Sequence, residues 1–73
     1  MNKNVEKILN AAASHIVDLK VCISYNGDEA AKNLWRGNIR GLLEAAKLLT
    51  GNTYDWDEKG IYENGSNEPI VKC

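Results

Sequence analysis

The sequence predicts a mainly α fold: an antiparallel two-helix hairpin followed by a small C-terminal β-hairpin, assembling into a helical-bundle homo-oligomer. Three observations carry this. Apolar residues recur at steps of four and three through two long stretches. Tyr25-Asn26-Gly27-Asp28 interrupts them once, and after Gly51 the period changes from helical to alternating.

In the first stretch Val5, Leu9, Ala12, Ile16, Leu19 and Ile23 form one seam, widened by Ile8 and Cys22, on a helix over about residues 4–24. Gly27 is able to take the left-handed conformation that ends a helix. Asp28 is placed to cap the next one, and Glu29 suits its positive end. The second helix, about 28–50, carries the matching seam of Ala31, Trp35, Ile39, Leu42, Ala46 and Leu49 and stops at Gly51. Two long helices and a short turn make a hairpin. Thr53 to Trp56 alternates as a half-buried strand, Asp57-Glu58-Lys59-Gly60 is a turn, and Ile61-Tyr62-Glu63 returns. A lone two-stranded hairpin is marginal in water, so Trp56, Tyr54 and Ile61 or Tyr62 are expected to pack on the helices. Residues 1–63 form a single domain on this reading. Asn64 to Pro69 is a polar link, and 64–73 is a flexible tail.

The second helix holds more apolar surface than one partner helix needs. Gly37, Gly41 and Ala45 recur every fourth residue, flanked by Leu34 and Leu48, and Val17 and Val21 add a similar surplus on the first helix. Mid-helix glycine costs about 0.5–1 kcal/mol against alanine, so the stripe implies close packing. Either a second subunit or the chain's own β-hairpin, with Trp56, fills it. The Gly37–Gly41 spacing also occurs in paired membrane helices, but Arg36, Asn38 and Arg40 exclude that setting.

A chain of 73 residues is short for a self-sufficient core, so reinforcement is expected. Two cysteines, Cys22 and Cys73, are not a disulfide scaffold and have no metal-ligand spacing, which leaves oligomerisation. Nine Lys and Arg against ten Asp and Glu provide no global attraction to duplex nucleic acid. With no apolar run long enough for a signal peptide or a span, a cytoplasmic protein is expected.

Catalytic chemistry is thin. His15, the single histidine, sits on the flank of the first seam, two helical turns from Cys22, too far for a nucleophile and base within one chain. Asp55, Asp57 and Glu58 read as solvated turn carboxylates rather than a cation site. No enzyme, no cofactor and no metal is expected. Lys32, Arg36 and Arg40 stand out because cations at successive i, i+4 positions repel one another. Nearby carboxylates or water can absorb that repulsion. The sharper reading is an anion site, in which the arginine forks take phosphate and Trp35, Tyr25 or Tyr54 stacks on a base.

The stretch from Asn33 to Ala45, with Trp35 early in the helix, Gly41 within it and Ala45 following, is similar in texture to the second helix of the helical-hairpin family of phage sponges. The whole organisation looks like that of very small helical phage proteins. The resemblance implies a homo-oligomer in the host cytoplasm that sequesters cyclic-nucleotide or cyclic ADP-ribose signals and so antagonises host defence. Independently of the resemblance, the cationic ladder beside aromatics suggests ligand pockets at subunit boundaries, with Lys32, Arg36 and Arg40 on phosphate and Trp35 or Tyr54 stacking. Two other readings stay open: a protein-interaction module that inhibits or regulates a host protein, and an accessory phage assembly protein with no ligand.

Overall fold

The computed structural model of the protein describes residues 3–25 and 27–73. Met1, where the single domain is expected to begin, and Asn26 of the interhelical turn lie outside the described residues. Helix α1 runs Lys3–Ser24 and α2 runs Glu29–Thr50. They are followed by strands β1 (Tyr54–Asp57), β2 (Gly60–Glu63) and β3 (Val71–Lys72). The fold is mainly helical, a two-helix hairpin with a three-stranded antiparallel sheet of order β1-β2-β3.

Local chemistry sets the helix ends. The Asp28 carboxylate accepts the Ala31 N–H at 2.8 Å, which satisfies one of the unpaired donors at the start of α2. At the other end Gly51, with φ 76°, donates its N–H to the Lys47 carbonyl. Gly27 closes the end of α1 by a steric requirement. A side chain there would run into the Cys22 sulfur and carbonyl. Glycine is needed because the chain turns tightly over the end of α1, where the Gly27 N–H donates to the Cys22 carbonyl at 2.8 Å.

Val5, Leu9, Ala12, Ile16 and Leu19 are buried as their spacing demands. Ile23 is exposed, because it lies in the last turn of α1 beside an open cleft. In α2 the buried residues are Ile39, Leu43 and Ala46; Trp35 and Leu42 are half-buried, and Leu49 is 61% exposed. The buried arc is thus rotated towards Leu43 and away from Leu49. The cause is the sheet, which packs on that flank of α2 as well as on α1.

Pleating explains the sheet's inner face. Tyr54, Trp56, Ile61 and Val71 pack on the helical core, with Trp56 opposite Ile61 and Ile61 opposite Val71. Ile61 is completely buried. The third strand corrects the expected flexible tail. The Ile70 N–H donates to the Ile61 carbonyl at 2.8 Å, the Cys73 N–H to the Lys59 carbonyl at 3.0 Å, and the Cys73 thiol lies 3.7 Å from the Ala13 carbonyl. A strand of two residues has too little sequence to announce itself. Its position comes from β2, whose free edge and buried Ile61 it covers.

The outer face holds a polar lock across the β1–β2 turn. The Tyr62 hydroxyl donates to both Asp57 carboxylate oxygens, at 2.9 and 3.0 Å, and the Lys59 N–H donates to one of them at 2.7 Å. The Lys59 N–H, together with the phenol, holds the Asp57 carboxyl below the usual aspartate range. Burial, and then the neighbouring carboxylate, push the Tyr62 phenol up. A depressed carboxyl contributes stability above its ordinary pKa and loses it as the pH falls through the lowered folded value. Melting temperature followed downward from about pH 4 should therefore fall further in the native chain than in Asp57→Asn. Parallel curves would mean that the lock does not stabilise the fold.

Candidate functional site

The α2 cations do not form one continuous site. Trp56 projects from β1 onto α2 and divides them, since its ring lines two separate clefts. One, of about 400 Å³, lies between α2 and β1 and is bounded by Arg40, Leu43, Glu44 and Lys47 on the helix and by Thr53 to Trp56 on the strand. The other, of about 390 Å³, runs between the ends of the helices and holds Arg36, Lys20, Ile23, Glu58 and the far side of Trp56. Lys20 Nζ donates to the Glu58 carbonyl at 3.0 Å, tying α1 to the β1–β2 turn across this second cleft.

The three cations of the ladder have different surroundings. Lys32 Nζ lies 3.7 Å from the Glu29 carboxylate, an ion pair within the first turns of α2. Arg36 Nη1 is 3.5 Å from the Asn33 side-chain oxygen, a long contact. Arg40 makes no hydrogen bond or ion pair among the described residues and faces the first cleft. The repulsion inferred along the ladder is relieved by separation and by local partners rather than by one shared anion.

The aromatic residues are also distributed. Tyr54 shares the first cleft with Arg40, but its hydroxyl is engaged: it donates to Glu63 Oε2 at 2.8 Å and lies 3.2 Å from Thr50 Oγ1. Trp35 turns the other way. Its ring packs on His15, centroids 5.3 Å apart and planes tilted by 32°, so the structure does not bring it together with Arg40 and Tyr54. His15 Nδ1 is buried without a hydrogen-bond partner. Tyr25 is exposed at the end of α1.

Lys47, Glu44, Asp55 and Trp56 join the first cleft although the sequence did not assign them to the anion site. For Lys47 a signal existed: it lies seven residues, two helical turns, beyond Arg40 and therefore on the same face. For Trp56 the alternation showed that it packs inward but not where along α2. The cleft thus carries two cations and two carboxylates beside two aromatic rings.

On the other side of α2, Leu34, Gly37, Gly41 and Leu48 are exposed and Ala45 half-exposed. A Cβ added at Gly37 or Gly41 would meet nothing within 4 Å, so the β-hairpin does not cover this stripe. A shallow depression there is lined by His15, Asn38 and Leu42, with no residue of the sheet. Val17 and Val21 are exposed on α1, beyond the flank where Ala13 and Lys20 meet the sheet and away from His15. They do not share the face of the α2 stripe.

Among the described residues no helix is long and apolar enough to cross a membrane, and no three His, Cys, Asp or Glu side chains converge as metal ligands. The fold and site define a small helical hairpin backed by an antiparallel sheet, with a mixed-charge cleft where the two layers meet. Comparison with protein-family models, curated proteins and solved structures finds no match to this chain.

Proposed function

We propose that the protein is a non-enzymatic binding module, acting as a homo-oligomer, that holds a small anionic, nucleotide-like ligand in the cleft between α2 and β1. The observation that carries this reading is the Arg40 guanidinium, unpaired among the described residues at the edge of a cleft that also contains Lys47, Tyr54 and Trp56. Arg40 and Lys47 are suited to phosphate oxygens, Arg40 through its two-pronged fork. Glu44 and Asp55 are suited to the donors that a nucleotide also presents, ribose hydroxyls or an exocyclic amine. Trp56 and Tyr54 offer ring surface to a base. Mixed charge favours this class of ligand over simple phosphate, whose dense negative charge would meet two carboxylates with only its own hydroxyls to donate to them. Capture of a cyclic-nucleotide or cyclic ADP-ribose signal would serve the anti-defence role of the sponge proteins that α2 resembles, in the cytoplasm of a phage host.

Calorimetric titration of the full chain with a panel of cyclic dinucleotides and cyclic ADP-ribose isomers tests the proposal. One ligand class should bind, and Arg40→Ala should weaken it by about 10- to 100-fold, the loss of one or two charge-assisted hydrogen bonds. Absence of heat from every member of the panel would remove the proposal. Binding that survives Arg40→Ala unchanged would move the ligand elsewhere.

A further inference from the structure

The open face of α2 is symmetric in side-chain size about Gly41. Leu34 lies seven residues before it and Leu48 seven after; Gly37 lies four before and Ala45 four after. The order is large, small, small, small, large. Leu34 is 61% and Leu48 85% exposed, and nothing among the described residues covers the glycines between them. Laid antiparallel about Gly41, two copies of this face set small residues against small and leucine against leucine, so the patch can complement itself when reversed, as a two-fold interface needs.

We infer that this face binds a second copy of itself, with two α2 helices antiparallel about a two-fold axis at Gly41. In that register Leu34 of one copy meets Leu48 of the other, Gly37 meets Ala45, and Gly41 meets Gly41. The small central residues let the helix axes approach to the lower end of the usual packing range, about 8 Å, while the leucines close both ends.

Charge selects the antiparallel direction. In such a pair the same flank of each helix faces its counterpart, and on one flank lie Arg40 and Glu44. At a rise of about 1.5 Å per residue, Arg40 of one copy falls about 3 Å along the axis from Glu44 of the other, and the pair occurs twice. A parallel two-fold pair would instead turn this flank towards the other flank of its partner, where Asn38 and Leu49 lie, and would leave these charges without that pairing. Because Arg40 and Glu44 also border the α2–β1 cleft, the second copy borders that cleft too. The inference specifies the oligomer named in the functional proposal but does not require a ligand.

Sedimentation equilibrium of the full chain at about 0.1 mM should show a dimer. Gly41→Leu should return it to monomer with its helical circular dichroism intact, since within one chain the new side chain meets open space. Direction is read by oxidative cross-linking in a background with Cys22 and Cys73 replaced by serine: Leu34→Cys mixed with Leu48→Cys should cross-link more than either alone. A monomeric native chain, a dimer unaffected by Gly41→Leu, or self-linking of Leu34→Cys with no gain on mixing would each overturn the inference. A monomer that still binds a nucleotide would remove the dimer alone; a dimer without binding would remove the ligand alone.

Discussion

Gly60→Ala is expected to lower the unfolding free energy by about 3 kcal/mol or more, from backbone strain and steric overlap together. Gly60 has φ 151°, a conformation that side-chain-bearing residues rarely adopt. The position a Cβ would take is filled by the Val71 carbonyl, with the Pro69 side chain 3.0 Å away. Neither neighbour can yield cheaply. Val71 is held by the β2–β3 pairing, where Gly60 stands opposite Lys72 and Ile61 opposite Val71. The substitution must therefore distort β2 or release β3, and releasing β3 opens the edge of the buried Ile61. At about 4–8 °C per kcal/mol for a domain of this size, the melting temperature should drop by at least about 10 °C. Hydrogen exchange should show the Ile70 amide, which donates to the Ile61 carbonyl, losing protection first. An unaltered melt with an unaltered Ile70 amide would mean that β3 is not docked in this way.

Ile39→Ala is expected to cost about 2–5 kcal/mol, and Ile16→Ala a similar amount. Both side chains are fully buried in the single cluster that joins the two helices to Ile61. A domain of this length has about 4–11 kcal/mol of stability in total, so either truncation removes a large share of it. Leu48→Ala provides the contrast. With 85% of Leu48 exposed, its truncation should stay within about 0.5 kcal/mol in solution dilute enough to keep the chain monomeric. Chemical denaturation of the three variants separates these cases. Equal losses at Leu48 and Ile39 in dilute solution would place the core elsewhere than the Ile16, Ile39 and Ile61 cluster.

Both helices were legible because their signals are local and repeated. The seam from Val5 to Leu19 and the cap at Asp28 are read directly from spacing and side-chain chemistry, and the turn from Asp57 to Gly60 from composition. Within the site, the placement of Arg36, Arg40 and Lys47 along one side of α2 is likewise a matter of helical period.

Which side of a helix becomes interior is not local, and here the sheet decided it. Leu43 rather than Leu49 is buried because β1 packs against that flank of α2. The same contact sends Trp56 between Arg36 and Arg40, while Trp35 turns to His15, so an apparently continuous ladder with its aromatics becomes two clefts. β3 exists only because the edge of β2 is available to pair with it. The sequence by itself determined the two helices, the β1–β2 hairpin and the face each cation shares, since these follow from spacing within one helix or turn. Only the tertiary structure decided the burial of Leu43, the partition of the cations and the docking of 70–73, because each depends on atoms brought together from distant parts of the chain.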